Sequence, residues 1–390
     1  MKYFVAYCIT ALSICSIVAA PIVQLTPPPL HTSNLIKGFC DRPKRHKGIF
    51  IAAETGEQKK IFHCYGHGGS GFTTLFGSIN KALQLIVNSN IATDEPIHII
   101  GAGCMGLLLA VELYRHGFHN ICISAKELYN LPSWRAGGFF DPGSGHEQAP
   151  EDLLVVELGL ATYKVLQTIE QGGHAYLTST IVHRVPLYCP KNVICEAEIL
   201  AEKGLMPQPR EVTIDFGNSV LHENFLEYYT YFIDVPELMK QLWQQITLFN
   251  IPVIQEEITS FAQCKESVIC NCTGLGSGTL NNDPHVYSAR GHFFMLSDTS
   301  MKPLDYMFFT KAEYGNKKEY IYFFPKNLFV TADQQQGISC CGMLGGTCIN
   351  DVDKLPAEEQ AALNEQEWER LLVRAQELFN GVGTTQKKLP

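Results

Sequence analysis

Lys2 is the only charge before an almost wholly apolar run from Tyr3 to Ala20. A basic start, an apolar core and small residues at Ala19 and Ala20 read as a secretory signal, and the run is also long enough for a membrane anchor. Prolines at positions 21, 27, 28 and 29 then break the chain, so residues 21–36 are expected to form a linker without regular structure. From Ile49 to Cys64 the pattern predicts two short strands around a polar turn at Thr55-Gly56-Glu57. Leu75, Phe76, Ile79, Ala82, Leu83 and Ile86 keep helical spacing behind a glycine-rich loop. A strand at Ile97–Ile100, an apolar helix through Leu107, Ala110, Val111 and Leu113, and a strand at Ile121–Ile123 follow. Residues 150–234 read as weakly patterned and richer in strands. Beyond them come a helix over Val235–Phe249, a strand over Ser267–Cys270, and aromatic strands over 291–296, 320–324 and 342–346. Trp368, Leu371, Leu372, Ala375 and Phe379 form one face of a closing helix over Ala357–Phe379, with Gly381 as its stop.

The second strand–helix–strand unit carries chemistry. Between Ile100 and Leu107 stands Gly101-Ala102-Gly103-Cys104-Met105-Gly106, the glycine spacing of a dinucleotide-binding turn in the context it requires. Gly101 permits the tight turn, Gly103 lets a pyrophosphate approach, and Gly106 lets the helix pack on its strand. Free N–H groups at Cys104 and Met105 would meet the phosphates with the positive end of the helix dipole. The second strand ends in Ser124-Ala125-Lys126-Glu127. Glu127 or Lys126 stands where a ribose contact is expected, and an exposed loop acid is the plain alternative for Glu127.

Composition narrows the class. The 46% hydrophobic and 18% charged fractions are those of a globular protein, and a net charge of −9 leaves no basic footprint for nucleic acid. Of the 14 cysteines, Cys104, Cys122, Cys270 and Cys272 fall in apolar strands or tight turns and read as small buried hydrophobes. Cys270-x-Cys272 and Cys340-Cys341 lack zinc-ligand spacing, so no metal is expected.

Ile97–Gly106 followed by Arg135-Ala136-Gly137-Gly138-Phe139-Phe140-Asp141-Pro142 resembles the opening of the FAD-dependent D-amino-acid oxidase family. Asn271-Cys272-Thr273-Gly274, Arg290-Gly291-His292, Tyr322-Phe323-Phe324-Pro325 and Leu344-Gly345-Gly346-Thr347 match later family motifs, in family order. Tyr65-Gly66-His67-Gly68-Gly69-Ser70-Gly71-Phe72-Thr73 is similar to the family's closing motif, and Gly38–Pro43 to the Gly-x-Arg-Pro step before it. Both stand ahead of the dinucleotide unit rather than behind it. The order reads as a circular permutation; an unrelated glycine loop, or a fragment of a tandem fusion, is the alternative.

The resemblance implies an α/β protein with a Rossmann-like FAD-binding domain, discontinuous in sequence, and an antiparallel-sheet substrate domain. Its expected divisions are a leader over 1–20, the linker over 21–36, and an FAD domain over 37–145 built from 37–90 and 97–145. Substrate segments over 146–234 and 288–381, a return to the FAD domain over 235–287, and a tail over 382–390 complete them. It implies hydride transfer from the Cα of a D-amino acid, or a related small amine acid, to flavin N5 with O2 as acceptor. A flavin dehydrogenase with another acceptor, or a non-catalytic FAD-binding protein, stays open, as do a homodimer and membrane attachment through residues 3–20. An exported or membrane-anchored location is expected, with a cytoplasmic one as the alternative.

Arg42 matches the family's carboxylate-binding arginine, with Arg45 as the fallback and a solvated basic loop as the plain reading of either. Tyr322 matches one pocket tyrosine; Lys318 replaces the second, and Tyr320, on the same strand face as Tyr322, is the candidate substitute. Gly68, Gly69 and Gly71, with Ser70, Phe72 and Thr73, would face the flavin, the backbone N–H groups and Thr73 favouring negative charge at its C2 carbonyl. Arg135, Ala136, Gly137 and Gly138 would pass the flavin ring, and Thr273 and Gly274 would cover the nucleotide from the far side. Asp141 and Phe140 depart from the family pattern.

Overall fold

The computed structural model describes residues 20–56, 58–129, 131–140, 152–191, 197–298, 300–302, 304–314, 317–330 and 337–380. The leader residues 1–19, the departure at Asp141 and the tail lie outside them. No described helix is long and apolar enough to cross a membrane.

In chain order the first elements are β1 (Ile22–Gln24), β2 (Leu35–Arg45), β3 (Phe50–Thr55), β4 (Lys60–Tyr65), α1 (Leu75–Val87), β5 (Ile97–Ile100), α2 (Cys104–Arg115) and β6 (Ile121–Ala125). Then come α3 (Pro132–Arg135), α4 (Asp152–Glu170), β7 (Val182–Pro190), α5 (Ala197–Glu202), β8 (Arg210–Asp215), β9 (Leu221–Ile233), α6 (Val235–Leu248), β10 (Val253–Gln255), β11 (Val268–Asn271) and α7 (Ser277–Leu280). The last are β12 (Val286–Leu296), β13 (Met307–Tyr314), β14 (Lys317–Phe324), β15 (Leu328–Val330), β16 (Gly337–Ser339), β17 (Gly342–Gly345), β18 (Ile349–Asn350) and α8 (Ala357–Asn380).

Two sheets organise these elements. The smaller runs β10-β6-β5-β11-β4-β3, parallel throughout except for the antiparallel edge strand β3. Counted from Ile97, its parallel strands stand in the order 3-2-1-4-5, the order of a dinucleotide-binding sheet. The fifth position is filled by β4, from the early part of the chain. Ile97, Ile99, Val268 and Cys270 alternate onto the face that packs with Leu107, Leu108 and Val111 of α2 and Ile79 of α1. Alternate residues therefore fall on the opposite face. The larger sheet runs β1-β8-β9-β7-β13-β14-β17-β12-β18, with β2 also paired to β12, and its second core closes under α8 through Trp368, Leu371, Ala375 and Phe379.

The structure corrects three expectations. Residues 21–36 are not an unstructured linker: β1 pairs with β8, Leu30 is buried in the second core, and Tyr306 donates to the Thr26 carbonyl. Residues 37–45 do not begin the nucleotide domain. They lie in β2, antiparallel to β12 from Leu35 opposite Leu296 to Arg45 opposite Val286, so this segment belongs to the larger sheet. The stretch after residue 150 opens on the long helix α4, which meets α1 where Gly77 faces the Leu158 backbone; a Cβ there would stand 2.3 Å from the Leu158 carbonyl oxygen.

Candidate active site

A cavity of about 1050 Å³ lies between the two sheets and runs from the Gly101–Gly106 turn to Arg42 and Tyr322. Its volume is at the upper end for small-molecule sites, enough for an extended cofactor with a small substrate. It opens where the parallel strand order reverses, between β5 and β11, which is where such sheets bind ligands.

The nucleotide end is built from backbone. Gly101 has φ +113°, and a Cβ there would stand 2.4 Å from the Cys272 carbonyl oxygen. A Cβ on Gly106 would stand 1.9 Å from the Gly101 carbonyl oxygen. Both positions therefore need glycine for the loop to close on the β11 turn. The N-cap residue Gly103 offers no side chain to α2, but the Cys104 N–H expected to be free donates to Ser133 Oγ at 3.0 Å, so a phosphate there would share or displace that contact. Lys126 and Glu127 lie at the cavity rim, Lys126 paired with Glu257. These features fit the pyrophosphate and ribose of a dinucleotide.

Gly68, Gly69, Gly71, Phe72, Cys104, Met105, Arg135, Ala136, Gly137, Gly138, Thr273 and Gly274 line the cavity with Gly101 and Gly103. Gly106, Ser70 and Thr73 stand behind its wall. Ser70 is fully buried with its hydroxyl donated to the His67 carbonyl, and Thr73 donates to Phe139 carbonyl at 3.4 Å. These two hydrogen bonds brace the loop and the facing 136–139 segment. Phe140 also turns away, into the core, leaving Phe139 at the cavity.

At the other end β2 delivers Arg42 and β14 delivers Tyr320 and Tyr322. Arg42 Nη2 donates to the Tyr322 hydroxyl at 3.2 Å and Nη1 to the Thr347 carbonyl at 3.4 Å. Burial alone disfavours the Arg42 charge, but Tyr322 and Cys348 beside it favour it, and its pKa stays above the usual arginine value. Burial raises the Tyr322 pKa, so its hydroxyl keeps its proton. Among the described residues no carboxylate pairs with Arg42. Arg45 is different: its Nε donates to Asp283 at 2.7 Å in a pair whose side chains are 10% and 7% exposed. Burial would raise the Asp283 pKa, yet Arg45, the His285 N–H and Tyr65 together hold it below the usual range. Arg45 is thus a structural cation. Arg45→Leu is expected to cost on the order of 3 kcal/mol in denaturant unfolding by stranding that carboxylate.

Sequence reading did not assign a role to Gly291. A Cβ there would stand 2.3 Å from Arg42 Nη2, so the glycine on β12 makes the seat of the guanidinium. Gly291→Ala should displace the fork and raise KM at least about tenfold with FAD content unchanged. Lys326 was also missed. It is 2% exposed, its Nζ donates to the Trp134 and Ala136 carbonyls at 3.0 and 2.7 Å, and burial lowers its pKa to about 8. It ties the lining segment 134–138 to the end of β14. Glu256 and Glu257, just after the third parallel strand, join the nucleotide rim. Their place behind an apolar strand was the available signal.

The family model described as FAD dependent oxidoreductase matches residues 97–388, well over half of the chain. The chain belongs to this family. FAD is its cofactor, and the glycine turn, the N-terminus of α2 and the long cavity are the features that would hold it. Curated proteins gave no match. Solved structures similar to this flavoprotein include iminodiacetate oxidase from Chelativorans sp. BNC1, at 11% identity over 74% of this chain and 80% of that one, with TM-score 0.47. Glycine oxidase from Bacillus cereus ATCC 14579 aligns at 14% identity over 73% and 77%, with TM-score 0.43. Fructosamine oxidase (Amadoriase II) from Aspergillus fumigatus aligns at 14% identity over 66% and 64%, with TM-score 0.43. The chain therefore spans just under two thirds of that amadoriase's length.

Proposed function

We propose that this FAD-dependent oxidoreductase oxidises the C–N bond of a small amine-bearing carboxylate of the D-amino-acid kind, with O2 as acceptor. The observation that carries the reading is Arg42: a cation facing a ligand-sized cavity, held by neutral groups and not by an acid among the described residues. A planar fork in that state suits a carboxylate from outside the chain. Tyr322 fixes one side of the fork, while Phe309, Tyr320 and Phe324 give the cavity aromatic walls that exclude water from the bound substrate. Bound FAD would supply the hydride acceptor and the link to oxygen. The chain's part is to bind, orient and desolvate the amino acid beside it.

The same reading includes circular permutation. It is supported by β4 filling the fifth place of a sheet counted from Ile97, and by a family match that begins at residue 97 and leaves the Tyr65–Thr73 motif outside. The spacer over 88–96 would then join what are separated ends in a linear relative.

A spectral titration tests the substrate reading. An inert aromatic carboxylate added to the FAD-loaded protein should perturb the flavin absorption bands with saturation, and Arg42→Leu should abolish the effect. A saturable perturbation of equal affinity in Arg42→Leu would place the carboxylate elsewhere.

A further inference from the structure

The face of the parallel sheet turned away from α1 and α2 carries a polar cluster that plays no part in the reaction proposed above. His98 on β5 and Cys122 on β6 are direct cross-strand partners in the parallel register. Glu266 enters from the loop just before β11, on the other side of β5. A ring nitrogen of His98, the Cys122 thiol and a Glu266 carboxylate oxygen all lie within 4.8 Å of one another.

The neighbouring hydrogen bonds orient the imidazole. Ser124 Oγ donates its single proton to Glu256 at 2.6 Å. It must therefore accept from His98 Nε2, which lies 2.8 Å away. Nδ1 then faces the Glu266 carboxylate, 2.9 Å distant. A proton on Nδ1 or a metal ion can bridge that contact, and the Cys122 sulfur beside it would give a metal its third donor. Lys59 does not enter the cluster: its Nζ is directed at the backbone carbonyls of Cys264 and Glu266.

We propose that His98, Cys122 and Glu266 bind a divalent metal ion of zinc's class. One nitrogen, one sulfur and one oxygen donor suit a borderline ion, and three protein ligands leave a fourth position for water. Metal–ligand bonds of about 2.0–2.3 Å need ligand atoms roughly 3.5 Å apart, so the triad closes by about 1 Å while the His98–Glu266 hydrogen bond opens. The His98–Ser124–Glu256 relay is the outer support that fixes a ligating imidazole in the correct tautomer. Glu266 is 23% exposed, which gives the ion a path from solvent. The ion would clamp the entry of β11 to β5 and β6. Sequence spacing could not reveal this site, because its ligands come from three separate strand edges.

The test uses the full FAD-loaded chain carrying Cys348→Ser, which removes the one exposed thiol among the described cysteines. After EDTA treatment and titration with zinc sulfate, one zinc per chain should survive gel filtration in micromolar free zinc. Zinc-edge X-ray absorption should show a single sulfur neighbour at about 2.3 Å with nitrogen and oxygen near 2.0–2.1 Å. A further Cys122→Ser change, nearly isosteric, should remove the sulfur shell and weaken binding at least about tenfold, and Ser124→Ala should weaken it about 10–100-fold. Failure to retain zinc, or a sulfur shell that persists without Cys122, would overturn the site. Both readouts are independent of amino-acid turnover.

Discussion

Arg42→Leu is expected to keep its FAD and its stability while losing turnover of amino acids. Leucine removes the fork but strands no acid, because the partners of Arg42 are a phenol, a carbonyl and a thiol. The loss then falls on the substrate. Removing one partner of a buried, charge-assisted pair costs about 2–5 kcal/mol, which lowers kcat/KM by more than about tenfold. Arg42→Lys should recover only part of it, since an ammonium cannot reproduce two parallel N–H donors. Arg45→Leu provides the contrast: its defect should appear in unfolding and not in KM. Steady-state kinetics beside denaturant curves for the three variants separates the roles. Normal kcat/KM in Arg42→Leu would remove the arginine from substrate binding.

Gly103→Val is expected to give a folded protein without flavin. Gly103 precedes α2 at φ −76° and ψ 179°, a conformation open to any residue, so the backbone tolerates valine. A Cβ would stand 3.1 Å from Ser133 Oγ, a contact a small hydroxyl shift relieves. The two γ-methyls, however, occupy the approach to the α2 N-terminus, where a pyrophosphate would accept its hydrogen bonds. Flavin content per chain should fall by about tenfold or more, equivalent to at least about 1.4 kcal/mol of binding. Gly101→Ala is a poorer test, because its positive φ and the Cys272 carbonyl would distort the loop itself. Absorbance after gel filtration, with circular dichroism as the fold control, reads the result. Full flavin content in a folded Gly103→Val protein would contradict the phosphate site.

The legible parts of this sequence were those with local causes. The glycine turn at 101–106 could be read because positive φ, close backbone approach and helix spacing are properties of neighbouring residues. Non-local pairing was harder. The strand at 22–24 exists because β8, almost two hundred residues on, offers it an edge, and prolines at 27–29 concealed that. The helix α4 keeps buried positions at Val155, Leu158, Tyr163, Leu166 and Ile169, yet Gly159 and several β-branched residues blurred its period. The run Arg42–Lys47 looked like one basic loop. Its two arginines separate only in the fold, one beside Tyr322 and the other beside Asp283, 238 positions away. Arg42, Tyr322 and the glycine turn do line one cavity, the combination on which the proposed reaction depends.

The most direct measurement is the visible spectrum of the purified, FAD-loaded protein before and after anaerobic addition of D-amino acids and related small amine acids. At least one of them is expected to bleach the oxidised flavin bands, admitting oxygen should restore them, and Arg42→Leu should abolish or greatly slow the bleaching. An oxidised spectrum that persists with every amine-bearing carboxylate, in protein that retains its FAD, would contradict the proposed reaction.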